Sequence, residues 1–129
     1  MGYCISQNES KFRIKAADKG LALRAIKSLV AEKKRFFRWI DTTAIQDSRN
    51  LVDAMSEWRW DIEEDTDGNI DGIAFRGEKS GDDLTLFKAI APFVERGSYI
   101  EMRGEDGAQW RWIFNDNTCT EKTAKVVWD

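Results

Sequence analysis

The chain contains no histidine, a single proline and only two cysteines among its 129 residues. Without histidine, Ser-His-Asp and Cys-His catalysis are excluded, and so is every His-ligated zinc, iron or copper centre. Cys4 and Cys119, near opposite ends of the chain, cannot build a Cys-rich zinc cage. They are also too few for a disulfide scaffold, so a reducing cytoplasm is the expected setting. No phosphate-cradling loop of the G-x-x-x-x-G-K-S/T or G-x-G-x-x-G type occurs. No apolar run approaches the ~20 residues of a membrane-spanning helix.

What is present fits one globular unit. The chain is 42% hydrophobic and 33% charged, which argues against intrinsic disorder, and its length suits one domain spanning residues 1–129. Residues 3–6 and 11–15 read as two short strands around an Asn8-Glu9 turn. Asp18 offers an N-cap to an amphipathic helix over 19–34, whose apolar stripe is Leu21, Ala22, Ala25, Ile26, Leu29 and Val30. RFFRWID at 35–41 alternates as a strand. A second helix is expected over 47–57, with Leu51, Val52 and Met55 facing inward.

EWRWDIEED alternates Trp58, Trp60 and Ile62 against Arg59, Asp61 and Glu63. With the Thr66-Asp67-Gly68-Asn69 turn and NIDGIAFRG it reads as a β-hairpin with a polar tip. Ser80-Gly81-Asp82-Asp83 opens a third helix over 83–95, which Pro92 should break. Three closing strands are expected in SYIEMRG, AQWRWIFND and TAKVVWD. Short connections between these strands point to an α+β fold, an antiparallel sheet with about three helices over one face.

Six tryptophans and seven phenylalanines supply one core, each large ring burying ~150–250 Å². The Trp58-Arg59-Trp60 unit recurs at Trp110-Arg111-Trp112, which leaves open either a duplication or two strands with the same kind of face. Period-two spacing puts the four indoles on one buried sheet face and Arg59 and Arg111 on the wetter one. That separation argues against a stacking platform for nucleic acid, which needs aromatic and cationic groups on one side.

Three further patterns invite function. Asp67, Asn69, Asp71, Gly72 and Glu78 match an EF-hand loop by spacing. Strand-like alternation before the loop and the residue Phe75 at an oxygen-donor position favour a hairpin tip instead, with no metal. Met1-Gly2-Tyr3-Cys4-Ile5-Ser6 fits the myristoylation pattern M-G-x-x-x-S/T, with Cys4 as a second acylation site. Alternating Tyr3 and Ile5 fit a buried strand better. The strongest pattern is charge: residues 1–49 carry a balance of +6 and residues 50–129 one of −9. Lys27, Lys33, Lys34, Arg35 and Arg38 form a basic candidate surface. Glu63, Glu64, Asp65 and Asp67, with Glu101, Glu105 and Asp106, form an acidic one. Mutual neutralisation of the two halves is the competing account.

The stretch GEKSGDDLTLFKAIAPFVERGSYIEMRGEDGAQWRWIF (77–114), with EWRWDIEED before it and KVVWD at the end, resembles a family of small uncharacterised proteins of bacteria, their phages or mobile elements. The resemblance implies a cytoplasmic setting in a bacterium or its virus and carries no activity or site residue. Small acidic proteins of such elements often occlude a host nuclease or defence complex. The expected function is therefore a non-catalytic inhibitor that binds another protein, without cofactor. Nucleic-acid binding through the basic helix 19–38 stands second. A small carboxylate-dependent enzyme using Glu101, Glu105 and Asp106 stands third.

Overall fold

Period-two alternation marks most strands, and antiparallel pairing suits it because each strand buries one face and wets the other. The structure, a computed structural model, describes residues 3–33, 40–78 and 82–124. In chain order these form β1 (Ile5–Lys11), α1 (Lys19–Lys33), α2 (Thr42–Gln46), α3 (Leu51–Glu57), β2 (Trp60–Glu64), β3 (Ile70–Phe75), α4 (Asp83–Ile90), β4 (Tyr99–Gly104), β5 (Gln109–Asn115) and β6 (Thr118–Thr123). Four strands make an antiparallel sheet in the order β1-β4-β5-β6, and β2 and β3 make a separate two-stranded sheet. The fold is α+β, as the sequence indicates.

Each sheet turns its apolar side to a shared core. Phe87 of α4 lies fully buried between them. Its ring centroid is 5.1 Å from Trp60, 5.3 Å from Trp112 and 5.8 Å from Phe114. Trp60 and Trp112 meet across the sheets at 6.0 Å and 77°, the edge-to-face arrangement that ring quadrupoles favour. Gln7 joins the sheets at their edges. Its side-chain amide donates to the Ile73 carbonyl at 2.9 Å and its oxygen accepts from the Phe75 N–H at 2.7 Å. In α1 the buried stripe is Ala22, Ile26 and Val30, spaced by four residues, as one helix face requires.

Several local expectations are corrected. There is no turn at Asn8-Glu9: β1 runs through, with an irregularity between Gln7 and Ser10. Asp18 belongs to a 3-10 turn, Ala16–Asp18, that runs into α1. The Ala16 N–H is bonded instead by Asn69 Oδ1 at 2.9 Å. Leu21 is 45% exposed, outside the stripe. The helix expected over 47–57 starts later, as α3 at Leu51, and a separate short helix, α2, precedes it. Each has its own cap, with Asp41 accepting from the Ala44 N–H and Asn50 from the Asp53 N–H. Helix α4 ends at Ile90 and tightens to a 3-10 turn over Ala91–Phe93, because Pro92 has no N–H to continue the ladder. The last described strand is β6, entered through the left-handed pair Asp116 and Asn117. The strand read at 35–41 falls mostly, and the one at 123–129 almost wholly, outside the described residues.

The tryptophan expectation holds for burial and fails for architecture. Trp58, Trp60 and Trp112 are buried and Trp110 is half-buried. Yet Trp58 caps the C-terminus of α3, Arg59 follows with φ of 72°, and only Trp60 lies on a strand. The second Trp-Arg-Trp unit lies wholly within β5. The two units therefore share letters and no common local structure.

Candidate interaction site

Between Trp60 and Phe75 the sequence has six carboxylates and no lysine or arginine. Strands β2 and β3 pair so that Asp61 faces Ala74 and Glu63 faces Gly72. Small residues opposite the acids leave the wet face of this ribbon low and open. The ribbon is anchored from beneath by Ile14, whose backbone exchanges hydrogen bonds with Ile70 at 2.8 and 3.1 Å. At the tip, Asp65 Oδ1 accepts from the N–H groups of Asp67 and Asn69 at 2.9 and 3.0 Å. Gly68 takes φ of 83° there, a conformation glycine adopts without penalty. Partial desolvation pushes the Asp65 carboxyl up. The bonds from Asn69 and Asp67, with the field of Arg13, outweigh it and hold the group below the usual carboxylate range.

Basic residues from outside the ribbon close on it. Arg13 reaches Glu95 at 2.8 Å, Asp71 at 3.4 Å and Asp65 at 3.9 Å. Lys19 pairs with Glu64 at 3.4 Å, and Arg76 with Asp61 at 3.1 Å. Three cations thus pair with four of the six ribbon carboxylates, Asp61, Glu64, Asp65 and Asp71. Glu63 and Asp67 are exposed and pair with no cation among the described residues. The neutralisation foreseen from the charge halves is real and partial.

The remaining acidic candidates do other work. Glu101 lies on β4 and accepts from Arg111 at 2.8 Å. Glu105 accepts from the Cys4 N–H at 3.0 Å, and Asp106 accepts from the Tyr3 hydroxyl. Tyr3, expected inside, is 43% exposed, and its ring covers Gly104, where a Cβ would collide with the hydroxyl. The Tyr3 bond holds the Asp106 carboxyl down and raises the phenol. Glu101 and Glu105 stand four residues apart along extended chain, ~13 Å, so these carboxylates do not converge as an acid–base pair would.

Of the basic candidates, Lys27 lies on α1, half-buried, and its carbonyl accepts from Gln46. Lys33 ends α1, and Lys34, Arg35 and Arg38 lie outside the described residues. The calcium-loop residues are dispersed. Asp67 is at the tip, Asn69 bonds Ala16, Asp71 faces Arg13, and the Glu78 carbonyl accepts from the Ile5 N–H. Among the described residues no group of three or more metal-binding side chains converges. Cys119 is buried, which pushes its thiol up to about 12; Cys4 is exposed.

No family model, curated protein or solved structure matches the chain.

The sequence reading missed Arg13, Lys19, Arg76 and Asp61, which decide which ribbon charges stay free. The available signal was indirect: acids clustered in 61–71 require cations from elsewhere, and only pairing across distant segments says which.

Proposed function

We propose that the protein is a non-catalytic interaction protein that covers a basic surface of another protein with the β2–β3 ribbon. The action is that of a phage or mobile-element inhibitor occluding a host nuclease or defence complex in a bacterial cytoplasm. The observation that carries this reading is the ribbon's residual charge: six carboxylates, three cations in reach, and Glu63 and Asp67 with none. Free charges on a rigid, two-stranded ledge steer association and fix its register more than they set its affinity. The resemblance of residues 77–114 to small mobile-element proteins supports the setting.

The test is affinity capture from a bacterial extract, comparing the wild-type chain with Glu63→Lys/Asp67→Lys and reading the bound proteins by mass spectrometry. Neither residue holds the turn or an ion pair, so the melting temperature should stay close to wild type while capture of a basic protein falls at least ~10-fold. Equal capture by both chains would remove the ribbon from the mechanism.

A further inference from the structure

The outer face of the four-stranded sheet carries a second, differently organised charge pattern. Register places Glu101 opposite Arg111 and Arg111 opposite Lys122. Like charges directly opposite on one face are destabilising, yet Lys122 has no acidic partner among the described residues. On the other side of Glu101 stands Glu9, exposed in the irregular part of β1. The Glu101 bond raises the Arg111 pKa, and the Glu9 charge adds to that effect. Across the sheet, from β1 to β6, the row therefore reads acid, acid, base, base.

The next row is Lys11, Tyr99, Ile113 and Thr120, with the Arg111 guanidinium 5.1 Å from the Tyr99 ring centroid. Tyr99 and Ile113 are half-buried although no described element covers them. A third row runs through Arg103 and Gln109.

We propose that this face pairs with the same face of a second copy, about a two-fold axis that lies between β4 and β5 and parallel to them. A two-fold interface must be self-complementary, and this axis makes every row so. Glu9 falls over the second copy's Lys122, Glu101 over Arg111, Tyr99 over Ile113, Lys11 over Thr120 and Arg103 over Gln109. An axis perpendicular to the strands would stack acids on acids. The pattern selects one geometry, with strands aligned as in packed sheets.

Four strands ~4.8 Å apart and six residues of ~3.4 Å give about 400 Å² of face per copy. That places the dimer among weak, transient associations, which bury less than ~1,200 Å² in total. The pairing leaves the β2–β3 ribbon free and does not depend on what that ribbon binds.

Within one chain Glu9 and Lys122 sit on opposite edges of the sheet, three strand spacings or ~14 Å apart, beyond the ~10 Å screening length at 0.1 M salt. Rescue between them can only pass from copy to copy. Sedimentation equilibrium of the purified chain at about 20–500 μM and about 0.1 M salt should show a monomer–dimer equilibrium that weakens with further added salt. Glu9→Lys and Lys122→Glu should each weaken the dimer about 5- to 30-fold, because each change acts twice across the axis. The double variant Glu9→Lys/Lys122→Glu should return to within about 3-fold of wild type. Circular dichroism of all three variants confirms that exposed substitutions leave the fold intact. A chain that stays monomeric throughout this range, or a double variant no tighter than the singles, overturns the proposal.

Discussion

Asp106 shows how one side chain can fasten a chain end. It accepts from the Tyr3 hydroxyl and from the Ala108 N–H at 3.0 Å, closing the β4–β5 turn and holding the residues before β1. Because the folded carboxyl titrates below its unfolded value, its contribution is complete above the unfolded value of ~4 and is lost as pH falls through the folded one. Asp106→Asn, which copies the protonated form, should lower the melting temperature at neutral pH. The gap to wild type should shrink toward zero on acidification, as thermal melts across a pH series would show. A gap constant with pH would assign the effect to shape rather than charge.

At the scale of elements, the join between the sheets rests on an amide rather than on strand pairing. Gln7 also donates to Ser10 Oγ at 2.9 Å, so one half-buried side chain serves both strands. Gln7→Ala should cost about 1–3 kcal/mol in chemical denaturation, since it leaves the Phe75 N–H without its partner and the Ile73 carbonyl with only the longer bond from Ser10 Oγ at 3.4 Å. Gln7→Glu should also destabilise: it keeps an acceptor for Phe75 but sets a carboxylate oxygen against the Ile73 carbonyl, where the amide had donated. None of this was legible in the sequence, where Gln7 is a polar residue in a weakly alternating segment. Legible elements were those with strong local signals: the stripe of α1, the β2–β3 hairpin, and β4 and β5 around their glycine turn. β6 was misplaced because TCTEKT has little apolar alternation; the left-handed Asp116-Asn117 pair was the available mark of its hairpin. Trp58 followed the spacing of a strand while belonging to a helix end, since a two-residue offset is satisfied by either geometry when the backbone turns between them.

For the whole molecule, the core is organised around Phe87 rather than within either sheet. Phe87→Ala should cost ~3–5 kcal/mol, and both sheets should lose protection together in hydrogen exchange, because the removed ring is what Trp60 and Trp112 share. Loss confined to one sheet would show that each packs independently. The candidate site was half legible. Its carboxylates are contiguous in sequence, and so could be found. The residues that quench some of them arrive from 13, 19 and 76, and only the folded chain reveals which acids are left over.

Arg13 ties together the tip of the ribbon and the turn before β4. Dissolved ions that shield Glu63 and Asp67 from an approaching cationic protein also loosen this guanidinium clasp. Grip and posture therefore decline in step, and binding should fade with ionic strength faster than the two unmatched carboxylates alone would dictate.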